Sequence, residues 1–137
     1  MQVQPYLFFD GRAEEAFAFY RGALGAEVTE MMRFKDAPDQ PPPGAIAPNS
    51  ENKIMHATLR IGETTIMASD GHCGGAAAFQ GFALSVDFPD EQSARKAFDA
   101  LAEGGKVQMP IGKTFFSPCF GMVADKFGVG WMVIVLP

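Results

Sequence analysis

Residues 13–20 read AEEAFAFY and residues 94–101 read ARKAFDAL, one pattern written twice. In the first, Ala13, Ala16, Phe17 and Tyr20 fall at i, i+3, i+4 and i+7, one face of an amphipathic helix. In the second, Ala94, Ala97, Phe98 and Leu101 repeat the spacing. Each stripe runs small, small, aromatic, large, so each helix can approach a sheet closely at its first turn. Asp10 and Asp90 stand before the helices as candidate N-caps. Glu14, Glu15 and Glu91 place negative charge where the helix dipole favours it. Both helices stop at glycine, Gly25 in one and Gly104-Gly105 in the other, the residue that tolerates a left-handed cap.

Outward from the helices the halves stay parallel. Strand-like runs precede each helix, Pro5–Phe9 and Phe82–Phe88. Val28–Phe34, Ile54–Ile61 and Thr64–Ser69 follow the first. Val107–Met109, Phe115–Ala124 (broken at Pro118) and Trp131–Leu136 follow the second. Each half reads β-α-β-β-β, with Gly62 and Gly128 before the last strand. Two copies of one unit predict a duplicated α+β domain, and the length suits a single domain over residues 1–137. Module 1 covers about residues 1–75 and module 2 about 76–137. Residues 36–52, Asp36 to Asn52, break the symmetry with five prolines and no periodicity. A stretch of that length is either a lid over a ligand cleft or a mobile surface loop.

The hydrophobic fraction of 47% and thirteen Phe exclude a disordered tail. A net charge of −5 repels phosphate backbones and anionic membranes, so neither nucleic acid nor membrane is an expected partner. No apolar run approaches the roughly 20 residues of a membrane span. The first residues, MQVQPYLFF, lack the basic start of a signal peptide, which points to the cytoplasm. The two cysteines, Cys73 and Cys119, form no disulfide scaffold and read as ordinary reduced thiols.

Local chemistry concentrates on Ile54–Ile61. Its alternation puts Met55, Ala57, Leu59 and Ile61 on one apolar face, against a helix. Ile54, His56, Thr58 and Arg60 fall on the other. His56 and Arg60 lie about 13 Å apart along such a strand, suited to the two ends of a small polar or anionic ligand. The plain alternative is a solvated sheet face. Asp70-Gly71-His72-Cys73 carries three potential metal ligands, which His56 could complete as a displaced site. Its glycines read instead as a turn between the halves. Gly128-Val129-Gly130 opens a strand, not a helix, and lacks the Lys-Ser/Thr of a phosphate loop.

The stretches PYLFFDGRAEEAFAFYRGALGAEV (5–28), MHATLRIG (55–62), FALSVDFPDEQSARKAFDALAEGG (82–105) and FGMVADKFGVGWMVIV (120–135) together resemble the vicinal-oxygen-chelate superfamily. That superfamily groups the glyoxalase, bleomycin-resistance and extradiol-dioxygenase proteins. The closer likeness is to its PhnB-like branch, also called 3-demethylubiquinone-9 3-methyltransferase-like. Pro5-Tyr6-Leu7, Phe19-Tyr20 and Phe127-Gly128-x-x-Trp131-Met132 carry that likeness. The resemblance implies two β-α-β-β-β modules forming a curved eight-stranded mixed sheet around a cleft, with helices on the convex face and a homodimer as the usual assembly. The superfamily's usual metal ligands, transferred to this chain, fall on Pro5, on Ile66 or Met67, on Gly81 and on Met132. None of these suits a hard or borderline divalent ion, so no metal and no other cofactor is expected. The methyltransferase label implies S-adenosylmethionine, yet Asp10-Gly11-Arg12 and Pro89-Asp90-Glu91 offer no glycine-rich strand-to-helix loop.

Three functions stay open. One is a metal-free small-molecule-binding protein of the bleomycin-resistance type, its ligand held by His56, Thr58 and Arg60 with an apolar lining from Met67, Phe115, Trp131 and Met132. A second is an enzyme (lyase, isomerase or transferase) with His56 as acid/base and Arg60 or Lys113 as anion anchor. It would be favoured by a second titratable group within reach of His56. The third is a structural dimer with a vestigial cleft.

Overall fold

Both stripes fold as helices at the predicted places in the computed structural model, which describes residues 1–137. In chain order the elements are β1 (Tyr6–Phe8), α1 (Ala13–Leu24), β2 (Glu27–Arg33), β3 (Ile54–Ile61) and β4 (Thr64–Ser69). Then follow β5 (Leu84–Phe88), α2 (Glu91–Ala102), β6 (Lys106–Gly112), β7 (Cys119–Ala124) and β8 (Gly130–Val135), and one 3-10 turn spans Phe34–Asp36. α1 buries Ala13, Ala16, Phe17 and Tyr20, and α2 buries Ala94, Ala97, Phe98 and Leu101. The chain is α+β, and each β-α-β-β-β half carries its own four-stranded mixed sheet. No helix is long and apolar enough to cross a membrane.

The chain divides into two compact units, Met1–Ala77 and Ala78–Pro137. In unit 1 the strand order is β1-β4-β3-β2, with β1 parallel to β4 and the other pairs antiparallel. In unit 2 the order is β5-β8-β7-β6, with β5 parallel to β8. The parallel pair in each unit needs the helical crossover that α1 or α2 supplies. Gly121 shows how closely α2 is seated: a Cβ there would lie 2.7 Å from Cε2 of Phe98 and 2.9 Å from Cα of Ile111. The small-residue side of the stripe and this glycine let the Phe98 ring lie directly on the β7 backbone.

The two helices are capped differently. Asp90 caps α2 as the sequence predicts, its Oδ1 accepting from the Ser93 backbone N–H at 2.7 Å. Asp10 does not cap α1. It takes a positive φ of 49° in the turn, and Arg12 holds the cap position without a side-chain bond. The anion at this helix end comes from the far end of β4. Asp70, 1% exposed, accepts from Gly11 and Ala13 N–H on Oδ1 and from Ile54 N–H on Oδ2, all at 2.8 Å.

Two strands depart furthest from expectation. β6 continues through Pro110 because it is an edge strand with register shifts, where a missing N–H costs no ladder bond. β7 begins only at Cys119, because Thr114–Ser117 forms a turn closed by Thr114 N–H to Ser117 O at 2.9 Å. The Pro-rich stretch after the 3-10 turn is tied down at several points. Lys35 N–H bonds Glu51 O at 2.9 Å, Ala47 N–H bonds His72 O at 3.0 Å, and His72 Nδ1 lies 2.8 Å from Ala45 O.

Candidate functional site

The unit 1 sheet has one face turned to α1 and one turned away, and register assigns the residues. Leu7, Ala57, Leu59, Ile66 and Ala68 are buried on the helix side. Opposite them lie Tyr6 and Phe8 of β1, Met67 and Ser69 of β4, His56, Thr58 and Arg60 of β3, and Glu27, Glu30 and Met32 of β2. Met67 therefore faces the same way as His56, while Ile66 is buried on the helix side.

Ile54 leaves this face, against the simple alternation. Met32 pairs with His56 while Arg33 pairs with Ile54, so β3 carries one extra residue, Met55. A bulge of this kind reverses the facing of what lies beyond it. Ile54 turns to the helix side and is fully buried, and Arg33 reaches Glu14 of α1 with Nη2···Oε2 at 2.6 Å.

The centre of the away face is a hydrogen-bonded pair. Tyr6 Oη lies 2.8 Å from His56 Nδ1, and Thr58 Oγ1 lies 3.5 Å from His56 Nε2. The Tyr6 ring also sits 5.6 Å from the imidazole and 5.0 Å from the Phe8 ring, centroid to centroid. Burial pushes the Tyr6 phenol above its ordinary pKa, and a hydrogen bond with the Ser69 side chain pulls partly back. Tyr6 holds its proton at neutral pH and can donate it to an imidazole nitrogen. Arg60, half-exposed, pairs with Glu27 at 2.5 Å. Tyr6 was missed in the sequence reading. Alternation along Pro5–Phe9 already groups it with Phe8, apart from buried Leu7 and Phe9, but only the pairing of β1 beside β4 brings it to His56.

The remaining sequence candidates scatter. Asp70 has both oxygens committed to backbone N–H groups, and His72 Nδ1 is turned to Ala45 O, so the turn holds no converging donors for His56 to complete. No group of three His, Cys, Asp or Glu side chains is arranged to hold a metal ion. Burial raises the pKa of both thiols, Cys73 and Cys119, which keeps them protonated and unreactive.

In unit 2, Met132 stands on the face away from α2, in register with Met122 and Ser85; Met122 in turn pairs with Met109. Trp131, expected among the lining residues, is a core residue instead. Neighbours on a strand point to opposite faces, so Trp131 lies opposite to Met132 and is 3% exposed, with Nε1–H on Asp125 Oδ2 at 2.9 Å. Phe115, also expected in the lining, is at the tip of the Thr114–Ser117 turn and fully exposed. Lys113 beside it is likewise exposed.

Neither cofactor that the resemblance brings to mind fits these donors. The transferred metal positions Pro5 and Gly81 lie outside the strands, and Met67 and Met132 offer only thioether sulfur, a poor ligand for Zn, Ni, Mn or Fe. The Gly11 and Ala13 N–H groups at the β1–α1 turn are already bound by Asp70, so they cannot cradle S-adenosylmethionine.

A family model described as 3-demethylubiquinone-9 3-methyltransferase matches residues 1–134. Protein YjdN of Escherichia coli (strain K12) is 37% identical over 143 residues, covering 99% of this chain and 96% of that one. Among solved structures, protein PA1353 from Pseudomonas aeruginosa matches with a TM-score of 0.85 at 40% identity, over 99% of this chain and 98% of that chain. The PhnB protein from Bacillus cereus matches with a TM-score of 0.81 at 28% identity, over 98% and 99%.

Proposed function

The chain belongs to the 3-demethylubiquinone-9 3-methyltransferase family, the PhnB-like branch of the vicinal-oxygen-chelate superfamily, and from that membership we propose a small-molecule-binding protein whose ligand lies around His56. One observation carries the reading. Tyr6, His56 and Thr58 gather polar atoms on a half-covered sheet face that also holds Phe8 and Met67, and such a mixture of apolar wall and few polar groups suits ligand capture. Arg60 is a weaker anchor than the sequence suggests, because Glu27 already engages it.

The test is a pair of variants, His56→Ala and Tyr6→Phe, followed by thermal unfolding and a small-metabolite thermal-shift screen. Both should fold as the parent does, and the response to a hit compound should weaken by about 0.5–1.5 kcal/mol, the usual net size of one hydrogen bond. Unfolding far below the parent would make the pair a structural feature. Identical responses to every compound would move the ligand elsewhere.

A specific observation also favours the enzyme reading. Tyr6 is a second titratable group within hydrogen-bond reach of His56, an arrangement able to move a proton to and from a bound substrate. A reaction found with the parent and lost in both variants, with binding retained, would establish it. A homodimer and a cytoplasmic location belong to the same proposal. The family resemblance supports the dimer, and a clean 14.7 kDa species in sedimentation equilibrium at micromolar concentration would refute it. The unbroken family match over residues 1–134 supports the two units working as one domain.

A further inference from the structure

Resting on the ligand face proposed above, we infer that the Tyr6–His56 pair selects an uncharged aromatic ligand, held by a carbonyl oxygen that accepts the His56 Nε2–H. The direction of the hydrogen bonds comes first. Tyr6 Oη and His56 Nδ1 are 2.8 Å apart, and a phenol that keeps its proton can donate it to the imidazole lone pair. Nδ1 is then the acceptor, and the single proton of a neutral imidazole sits on Nε2. Nε2 meets Thr58 Oγ1 at 3.5 Å, long for an N–H···O bond. Nε2–H is thus a donor whose contact with Thr58 is long, able to take a better acceptor.

The surroundings then decide ring and charge. Tyr6 and Phe8 form a tilted aromatic pair, centroids 5.0 Å apart, and Phe8 is 52% exposed. That exposed ring can take a flat partner in an offset stack, and Met67 stands opposite Tyr6 in register on the same face. The cation on this face, Arg60, is engaged by Glu27, while Glu30 adds a further negative charge. A carboxylate or phosphate ligand would meet net negative charge, so an anion is disfavoured and an uncharged oxygen acceptor is favoured.

The experiment uses the full chain, isotopically labelled, and three probes of similar size: acetophenone (neutral carbonyl), benzoate (anion) and benzylamine (cation). Long-range nitrogen–proton NMR of His56 should show the Nε2–H tautomer, and acetophenone should shift the signals of Tyr6, His56, Thr58 and Phe8 more than the other two probes do. Tyr6→Phe, which keeps the ring and removes the donor, should mix the tautomers and weaken acetophenone binding by about twofold, the share of His56 that loses its Nε2–H. An Nδ1–H tautomer in the parent would overturn the inference. So would preferential binding of benzoate or benzylamine at this face, which would leave the ligand face itself standing. If none of the probes at millimolar concentration shifts these signals, the inference and the ligand face fall together.

Discussion

Replacing Asp70 by alanine would remove a carboxylate that three backbone donors share, and the structure sets the size of the loss. Ala13 N–H and Ile54 N–H are buried and Gly11 N–H is partly so, each 2.8 Å from an Asp70 oxygen. A buried donor left without a partner costs about 1–3 kcal/mol, so the two buried ones together cost about 2–6 kcal/mol. Gly11 can be rewetted, and a water entering the vacated space can satisfy one of the others, which moves the expectation to about 1–3 kcal/mol, the cost of the one buried donor left without a partner. That is a sizeable part of the roughly 5–15 kcal/mol of a typical domain. Asp70→Asn keeps an oxygen for Gly11 and Ala13 but turns an amide N–H₂ towards Ile54 N–H, so it should lose about half as much. Urea unfolding followed by circular dichroism, with equal slopes for all three proteins, gives the comparison. A loss below about 1 kcal/mol for Asp70→Ala, or an alanine variant no worse than the asparagine one, would refute this account of α1 capping.

Gly121→Ala would press a methyl group to 2.7 Å from the Phe98 ring, an overpacking expected to cost about 1–3 kcal/mol by urea titration, with part recovered on adding Phe98→Leu. A neutral change would mean that α2 is not seated on β7 as described. The Ser93 backbone N–H, and then its hydroxyl, hold the Asp90 carboxyl below the ordinary aspartate pKa. Its capping contribution is therefore complete above that ordinary value and is lost as pH falls through the lower folded-state value. The melting-temperature gap between the parent and Asp90→Ala should close on acidification below about pH 4, and a gap independent of pH would contradict the cap. Burial raises both Cys73 and Cys119, so a thiol-specific disulfide reagent at neutral pH should react with neither in the folded chain and with both in denaturant. Fast labelling of the folded protein would show one of them to be accessible and ionised.

The sequence by itself determined the elements and their duplication. The stripes Ala13/Ala16/Phe17/Tyr20 and Ala94/Ala97/Phe98/Leu101 are helical because a period of 3.6 residues is a property of neighbours in the chain, and the alternation of Ile54–Ile61 is local in the same way. The Asp90 cap was legible for this reason too, since its partner Ser93 is three residues away. Local alternation could likewise have separated Trp131 from Met132, two neighbours on one strand that the sequence reading placed together. Tertiary structure alone decided what depends on pairing between distant segments. The α1 cap comes from Asp70, 57 residues from Ala13, and Tyr6 reaches His56 across 50 residues. The bulge at Met55 exists only in the register of β3 against β2, and it sends Ile54 to the core. Side-chain periodicity is written along the chain, but strand register and the partner of a buried carboxylate are fixed by which segments pack together, and one strand's pattern cannot show its neighbour.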